Sequence, residues 1–204
     1  PAWELRKKRL TYRRSVSEAT RIIAILHHVK KCLVDIYQVD PAVVDVVYQG
    51  CGPAYRPIMD EGTLVRIRGL HGLDRPFLYY PAATWPHKNH RRLLAAIRLM
   101  KDRYGFDGLL VLSGISQQVH GNLLEEIDHL ALGETVKVLG YLPYEHLPAL
   151  YSLATMLVFP SLFEGFGIPL VEAMHCGCPV ACANVTSLPE VVGDAGVLFD
   201  PSSV

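Results

Sequence analysis

Eight short apolar runs punctuate this chain, and several lack the polar alternation of a strand with one wet face. They cover residues 21–26, 43–48, 76–80, 109–113, 136–139, 156–159, 180–182 and 197–199. Unbroken Val, Ile, Leu and Phe over such lengths suits strands buried on both faces of a parallel sheet. The stretches between them have helical spacing. "HRRLLAAIRLMKDRYG" puts Leu93, Leu94, Ile97 and Met100 on one face and ends at Gly105. "GNLLEEIDHLALG", "YEHLPALYSLA" and "GIPLVEAMHCG" follow, the last with Pro169 near its start and Gly177 past its end. "SLPEVVG" reads as a short fifth helix, with Ser187 and Glu190 at capping-box spacing. Strand–helix alternation from residue 76 onward predicts an α/β fold, a doubly wound parallel sheet that binds ligands at its strands' carboxyl ends.

Residues 1–50 differ. A basic helical start leads to a strand, a helix "HHVKKCLVDIYQVD" and a strand "AVVDVVYQG". Two strands are too few for an independent sheet. The Gly- and Pro-rich "QGCGPAYRPIMDEG" after them reads as a connection. The expected organisation is a remnant of an amino-terminal domain over 1–50, an interdomain linker over 51–75 and a nearly whole domain over 76–204. The first residue is Pro1, so the chain is expected to be part of a longer protein.

Charge and cysteine content exclude little but narrow the partners. The 20 basic and 20 acidic residues balance, and basic and aromatic residues do not interleave along a stripe, so no nucleic-acid partner is expected. No apolar run reaches the length of a membrane span. Five cysteines without a secretion signal fit a reducing cytosol. The C-x-C-x3-C run of Cys176, Cys178 and Cys182 is not a standard zinc spacing and reads as small buried residues; no metal is expected.

The chemistry concentrates in "FPSLFEGFGIPLVEAMHCGCPV". Glu164 and Glu172 stand eight positions apart, separated by a Gly-Phe-Gly turn and a helix start. Gly165 and Gly167 let the backbone approach a ligand closely. The unpaired N–H groups of the first helical turn suit a phosphate. Glu164 and Glu172 can each accept hydrogen bonds from sugar hydroxyls. A carboxylate, an amide nest, a helix start and a second carboxylate together match a ligand with sugar, phosphate and sugar parts, as in a nucleotide-sugar. The alternative is that Glu164 caps a loop and Glu172 lies on a solvated helix face.

The segment "FPSLFEGFGIPLVEAMHCGCPVACANVTSLPEVVGDAGVLFDP" closely resembles the donor-binding half of retaining glycosyltransferases of family 4, the glycosyl transferases group 1. The resemblance extends over residues 21–201, with "PHKNHRRLLAAI" and "VLGYLPYEHLPALYSLA" in the expected order. It implies a GT-B type fold, of which this chain would be an incomplete two-domain enzyme with Rossmann-like donor domain. It implies transfer of a hexose from a UDP- or GDP-sugar to a glycan or lipid-linked acceptor, with retention and without a bound metal. By position, Glu164 would hold hydroxyls of the transferred sugar, and Lys88 would neutralise the diphosphate leaving group. Gly165, Phe166 and Gly167 would contact the sugar and phosphates through their amides, and Glu172 would bind the ribose. Leu139, Gly140, Tyr141 and Leu142 would cradle the nucleobase with backbone groups.

Three departures qualify the resemblance. Pro81 and Ala82 stand where the family has Gly-Arg, so one cation beside the diphosphate is missing. His27 stands where a serine is common; with His28 it is either functional or an exposed or capping residue. Most of the amino-terminal domain and the last helices are absent, so the isolated chain is expected to bind donor with little or no transfer. Alternatives are a non-catalytic nucleotide-sugar module that needs a partner chain, and another GT-B enzyme such as a sugar-nucleotide epimerase. Six basic residues over 6–14 offer contact with an anionic lipid surface, or else form a solvated helix face. Trp85 either lines the donor site or packs its own loop. A cytoplasmic enzyme is expected, with contact at the inner membrane face as the further option that the basic stretch leaves open.

Overall fold

The computed structural model describes residues 2–204. The chain divides into two compact units between Gln49 and Gly50. The first contains α1 (Ala2–Glu18), β1 (Ile22–Ala24), α2 (His27–Tyr37) and β2 (Val44–Val46). β1 and β2 pair in parallel, with Ile22 opposite Val44. Among the described residues, Ala24, Val39 and Val44 form its small buried cluster. Asp40 caps the 3-10 turn that leads into β2, accepting from the Ala42 N–H.

The second unit continues with α3 (Glu61–Leu70), β3 (Phe77–Pro81), α4 (His90–Tyr104), β4 (Leu109–Ser113), α5 (His120–His129) and β5 (Val136–Val138). After these come α6 (Leu147–Leu153), β6 (Met156–Phe159), α7 (Ile168–His175), β7 (Val180–Ala183), α8 (Leu188–Val192) and β8 (Val197–Phe199). The six strands form one parallel sheet in the order β5-β4-β3-β6-β7-β8. Every residue of β4 is buried, as its unbroken apolar run predicts. Side chains alternate across the sheet. Leu78 of β3 turns to the α4 side, where it lines a groove with Leu93 and Ile97. Its neighbour Tyr79 turns the other way, against Tyr151 of α6. Each fully buried leucine in these layers contributes about 1.5–3 kcal/mol relative to exposure.

Two sequence expectations change. Residues 51–75, read as a linker, carry the ten-residue α3, and Tyr55, Ile67 and Leu73 are part of the core of the second unit. Asp60 starts this helix by accepting from the Thr63 N–H at 2.8 Å. Its apolar face is too thin to announce itself, since only Ile67 is buried within it. Ser187 does not form a capping box either. Its backbone is already helical (φ −85°, ψ −19°), which turns the hydroxyl away from the helix start.

Cys176, Cys178 and Cys182 are buried in the core. Burial raises their thiols, to about 12, about 11 and about 11 respectively. They therefore stay protonated at neutral pH and behave as small apolar residues.

Candidate functional site

The strand order reverses between β3 and β6. From β3 the chain steps outward to β4 and β5, then returns to the other side of β3. Loops leaving neighbouring strands there diverge to opposite faces and open a crevice at the carboxyl ends. Lys88 lies on the loop after β3, at the end of a 3-10 turn (Pro86–Lys88). Glu164 lies on the loop after β6. Lys88 Nζ and Glu164 Oε1 meet across the crevice at 2.6 Å, with side chains only 17% and 12% exposed. The ammonium also sits 5.5 Å from the centre of the Phe159 ring.

Short hydrogen bonds fix this pair. The Tyr80 hydroxyl donates to the Lys88 carbonyl at 2.8 Å and pairs with Ser161 Oγ at 3.0 Å. The Leu162 N–H donates to the His87 carbonyl. Asn89, in the left-handed region at φ 60°, donates its amide to the carbonyls of Pro160 and Pro201. Asparagine tolerates that backbone region better than most residues.

The turn after Glu164 is tied to the start of α8. The Glu164 N–H donates to Thr186 Oγ1 at 3.2 Å. The Ser187 hydroxyl faces the carbonyls of Glu164 and Phe166, at 3.0 and 3.4 Å. No protein acceptor takes the N–H groups of Gly165, Phe166 or Gly167 among the described residues. Gly167 has φ +95°, and a Cβ there would lie 2.8 Å from Leu188 Cδ2. Glycine is required for this approach. Pro169 occupies the first turn of α7, which Gly167 precedes directly. Unpaired amides at a helix start beside an ammonium form a site for an anion.

Glu172 is not on a solvated face. It is 6% exposed, and the Tyr151 hydroxyl donates to its Oε2 at 2.7 Å. Among the described residues, no hydrogen bond or ion pair joins it to Lys88 or Glu164. Direct bonding among the described residues thus joins Lys88 to Glu164 and Glu172 to Tyr151.

Leu139, Gly140, Tyr141 and Leu142 form another group. The Leu139 N–H donates to the Leu112 carbonyl, and the Gly140 carbonyl accepts from the Gly114 N–H. Leu142 is buried and Tyr141 exposed. Tyr141 and Leu142 line a cavity of 260 Å³ with Pro81, Ala82, Ser113 and Gly114. Ala82, at the place of the missing arginine, is buried and donates its N–H to the Ser113 carbonyl. Trp85 lines a different cavity, of 450 Å³, together with His90, Arg91 and Asn122. His90 is buried against Tyr80, with ring centroids 5.0 Å apart. Burial, reinforced by the nearby Lys88 charge, pushes its imidazole down to about 4. His27 belongs to the first unit, where its ring packs edge-on to Tyr48.

The sequence reading missed Tyr151, Ser187, Ser161 and Tyr55 as parts of this region. Tyr151 left a trace as the phenol on the buried face of "YEHLPALYSLA".

The family model of glycosyl transferases group 1 matches residues 66–204, which hold the whole sheet and both members of the Lys88–Glu164 pair. This chain belongs to that family. Its relatives include the O-antigen chain mannosyltransferase B of Escherichia coli, 44% identical over 63% of this chain and 34% of that protein. The O-antigen chain mannosyltransferase RfbU of Salmonella typhimurium is 25% identical over 95% of this chain and 50% of that one. Among solved structures, Anabaena HepE in complex with UDP and glucose superposes with a TM-score of 0.80 at 23% identity, over 91% of this chain and 50% of that chain. A glycosyltransferase from Rickettsia africae gives a TM-score of 0.83 at 19% identity, covering 95% of this chain and 53% of that one. The chain thus spans about a third to a half of the length of these proteins. The architecture is of the GT-B type, and no described helix is long and apolar enough to cross a membrane.

Proposed function

We propose that this chain is the donor-binding part of a retaining glycosyltransferase that transfers a hexose from a nucleoside diphosphate sugar to a glycan or lipid-linked hydroxyl. Mannose is the hexose we favour, because the named activity of the 44% identical relative is mannosyl transfer. The observation that carries the reading is the Lys88–Glu164 contact at the strand-order reversal, beside the unpaired amides of Gly165, Phe166 and Gly167.

Each part has a role in this reading. The Lys88 ammonium has three N–H donors; Glu164 takes one, and the others are available to a diphosphate. With the amide nest and the dipole of α7, Lys88 stabilises the charge that grows on the departing diphosphate. These groups supply positive charge without a resident metal. Glu164 accepts from hydroxyls of the transferred sugar, which fixes the reacting carbon near the leaving oxygen. Glu172 accepts from the ribose. The base sits along Leu139, Gly140, Tyr141 and Leu142. Since the Leu139 N–H and Gly140 carbonyl are already engaged, the remaining backbone groups of that stretch read it. The basic residues of α1 are proposed to meet anionic lipid at the cytoplasmic side of the membrane.

A second reading is that the isolated chain binds donor without transferring it. Calorimetry with a panel of UDP- and GDP-sugars tests the donor site. One donor should bind, and Glu172→Ala should weaken it. Failure of every donor to bind would contradict the proposal, and steady acceptor glycosylation by this chain alone would overturn the second reading.

A further inference from the structure

A buried set of phenols stands behind Glu172. Tyr151 lies in the last turns of α6, fully buried, and its hydroxyl donates to Glu172 Oε2 at 2.7 Å. Its ring cannot swing. Tyr79 meets it edge-on at 5.3 Å between centroids, and Tyr55 packs on it at 6.1 Å. Tyr79 is anchored in turn by Ser113 Oγ, 2.8 Å from its hydroxyl.

Tyr55 comes from the segment before α3. It is buried, and its hydroxyl makes no hydrogen bond of good geometry, with Tyr144 and Glu172 as its polar neighbours. Burial first, and then the charge on Glu172, hold the Tyr151 phenol well above its ordinary range. Burial, followed by Tyr144 and Glu172, does the same for Tyr55. Both phenols keep their protons, and Tyr151 donates its own to the carboxylate.

Glu172 is thus asymmetric. Oε2 is fixed by Tyr151, whereas no donor among the described residues bonds Oε1, and no cation forms an ion pair with this carboxylate. Oε1 is also not among the sealed, unpaired atoms of the interior. A carboxylate held this way has one oxygen committed and one available, in a setting where an unmade hydrogen bond is expensive.

We propose that Tyr151 is a positioning residue for the donor site. It locks Glu172 so that Oε1 accepts from a ribose hydroxyl. The inference rests on the reading of Glu172 as the ribose ligand. Tyr151 touches no substrate in this account and acts only through Glu172. Because the phenylalanine ring keeps the packing against Tyr79 and Tyr55, Tyr151→Phe removes little besides the hydroxyl.

The test is calorimetric titration of the chain with UDP and GDP and with their 2′,3′-dideoxy counterparts. It uses wild type, Tyr151→Phe, Tyr55→Phe and Glu172→Gln. For the nucleotide that binds, wild type should prefer the ribose form. Tyr151→Phe should weaken the ribose form about tenfold and leave the dideoxy form unchanged, since a hydrogen bond to a charged group is at stake. Tyr55→Phe removes a hydroxyl that makes no hydrogen bond and should leave the ribose preference unchanged. Equal weakening of both forms by Tyr151→Phe would mean a general structural loss and overturn the inference. So would full ribose preference in Tyr151→Phe alongside its loss in Glu172→Gln, which would leave the role of Glu172 intact. Ribose preference retained in Glu172→Gln, or absent from wild type, would overturn the ribose reading itself. No binding of either nucleotide by wild type would overturn both.

Discussion

Replacing His90 by phenylalanine should remove about 3 kcal/mol of the acid sensitivity of the second unit between pH 6.5 and 4. His90 opens α4, two residues after Lys88. It is buried against Tyr80, and neither ring nitrogen has a hydrogen-bond partner. Its imidazole is pushed from 6.5 down to about 4, mainly by burial and then by the Lys88 charge. A folded value below the unfolded one means the neutral ring favours folding. That stability is fully present above pH 6.5 and drains away as pH falls toward 4. The span of about 2.5 units corresponds to about 3 kcal/mol at 1.36 kcal/mol per unit. For a unit of this size the melting temperature should fall by about 6–12 °C from this group alone. Carboxylates such as Asp60 and Asp102, lowered by their hydrogen bonds to Thr63 and Arg98, also lose stability in acid. So does His71, which is lowered by burial and by His146. Those losses are common to both proteins and cancel in the difference. Urea denaturation at half-unit pH steps, for wild type and His90→Phe, reads that difference directly. The variant should match or exceed wild type at pH 7, having shed two unpaired ring nitrogens, and its stability should fall less in acid. Parallel pH profiles would show that His90 titrates normally and that the loop beneath Lys88 is wet.

Two further predictions concern the same loops. In a double-mutant cycle of Lys88→Met and Glu164→Gln, the pair at 2.6 Å should couple by about 1–3 kcal/mol in unfolding free energy; a coupling near zero would mean the contact is not held in solution. Gly114→Ala should cost about 2–4 kcal/mol. Its Cβ would lie 2.6 Å from the Ala82 carbonyl carbon and oxygen, at φ +135°. Backbone cannot yield there as a flexible side chain can, so a neutral effect in urea denaturation would place the 82–83 backbone elsewhere.

The sheet was legible in the sequence because its strands are buried on both sides. The continuous apolar run of β4 admits no other comfortable environment, and all five residues are buried. α7 was equally plain, bounded by Gly167 and Pro169 on one side and Gly177 on the other. α3 was hidden, because its ten residues bury only Ile67 and follow a Gly- and Pro-rich stretch. Only the Asp60–Thr63 spacing marked its start. Ser187 misled for a different reason. A serine three residues before a glutamate caps a helix only if its backbone is extended; here the backbone is helical and the hydroxyl donates to the carbonyls of Glu164 and Phe166 instead. Within the site, Glu164, Lys88 and Glu172 were each visible as residue types in a motif. Their partners were not. Lys88 and Glu164 are 76 positions apart, and Tyr151 and Glu172 are 21 apart. Such pairs depend on the order of strands and helices in space, which local spacing does not encode.

A nucleotide-sugar is proposed to lie across the strand-order reversal, over the amides that follow Glu164. Amide chemical shifts recorded during titration with GDP-mannose and UDP-glucose test it most directly. One donor should move the resonances of Gly165, Phe166 and Gly167 together with those of Gly140, Tyr141 and Leu142, in a single saturable transition. Shifts confined to the cavity beside Trp85 and Asn122, with the Gly165–Gly167 amides unmoved, would contradict it.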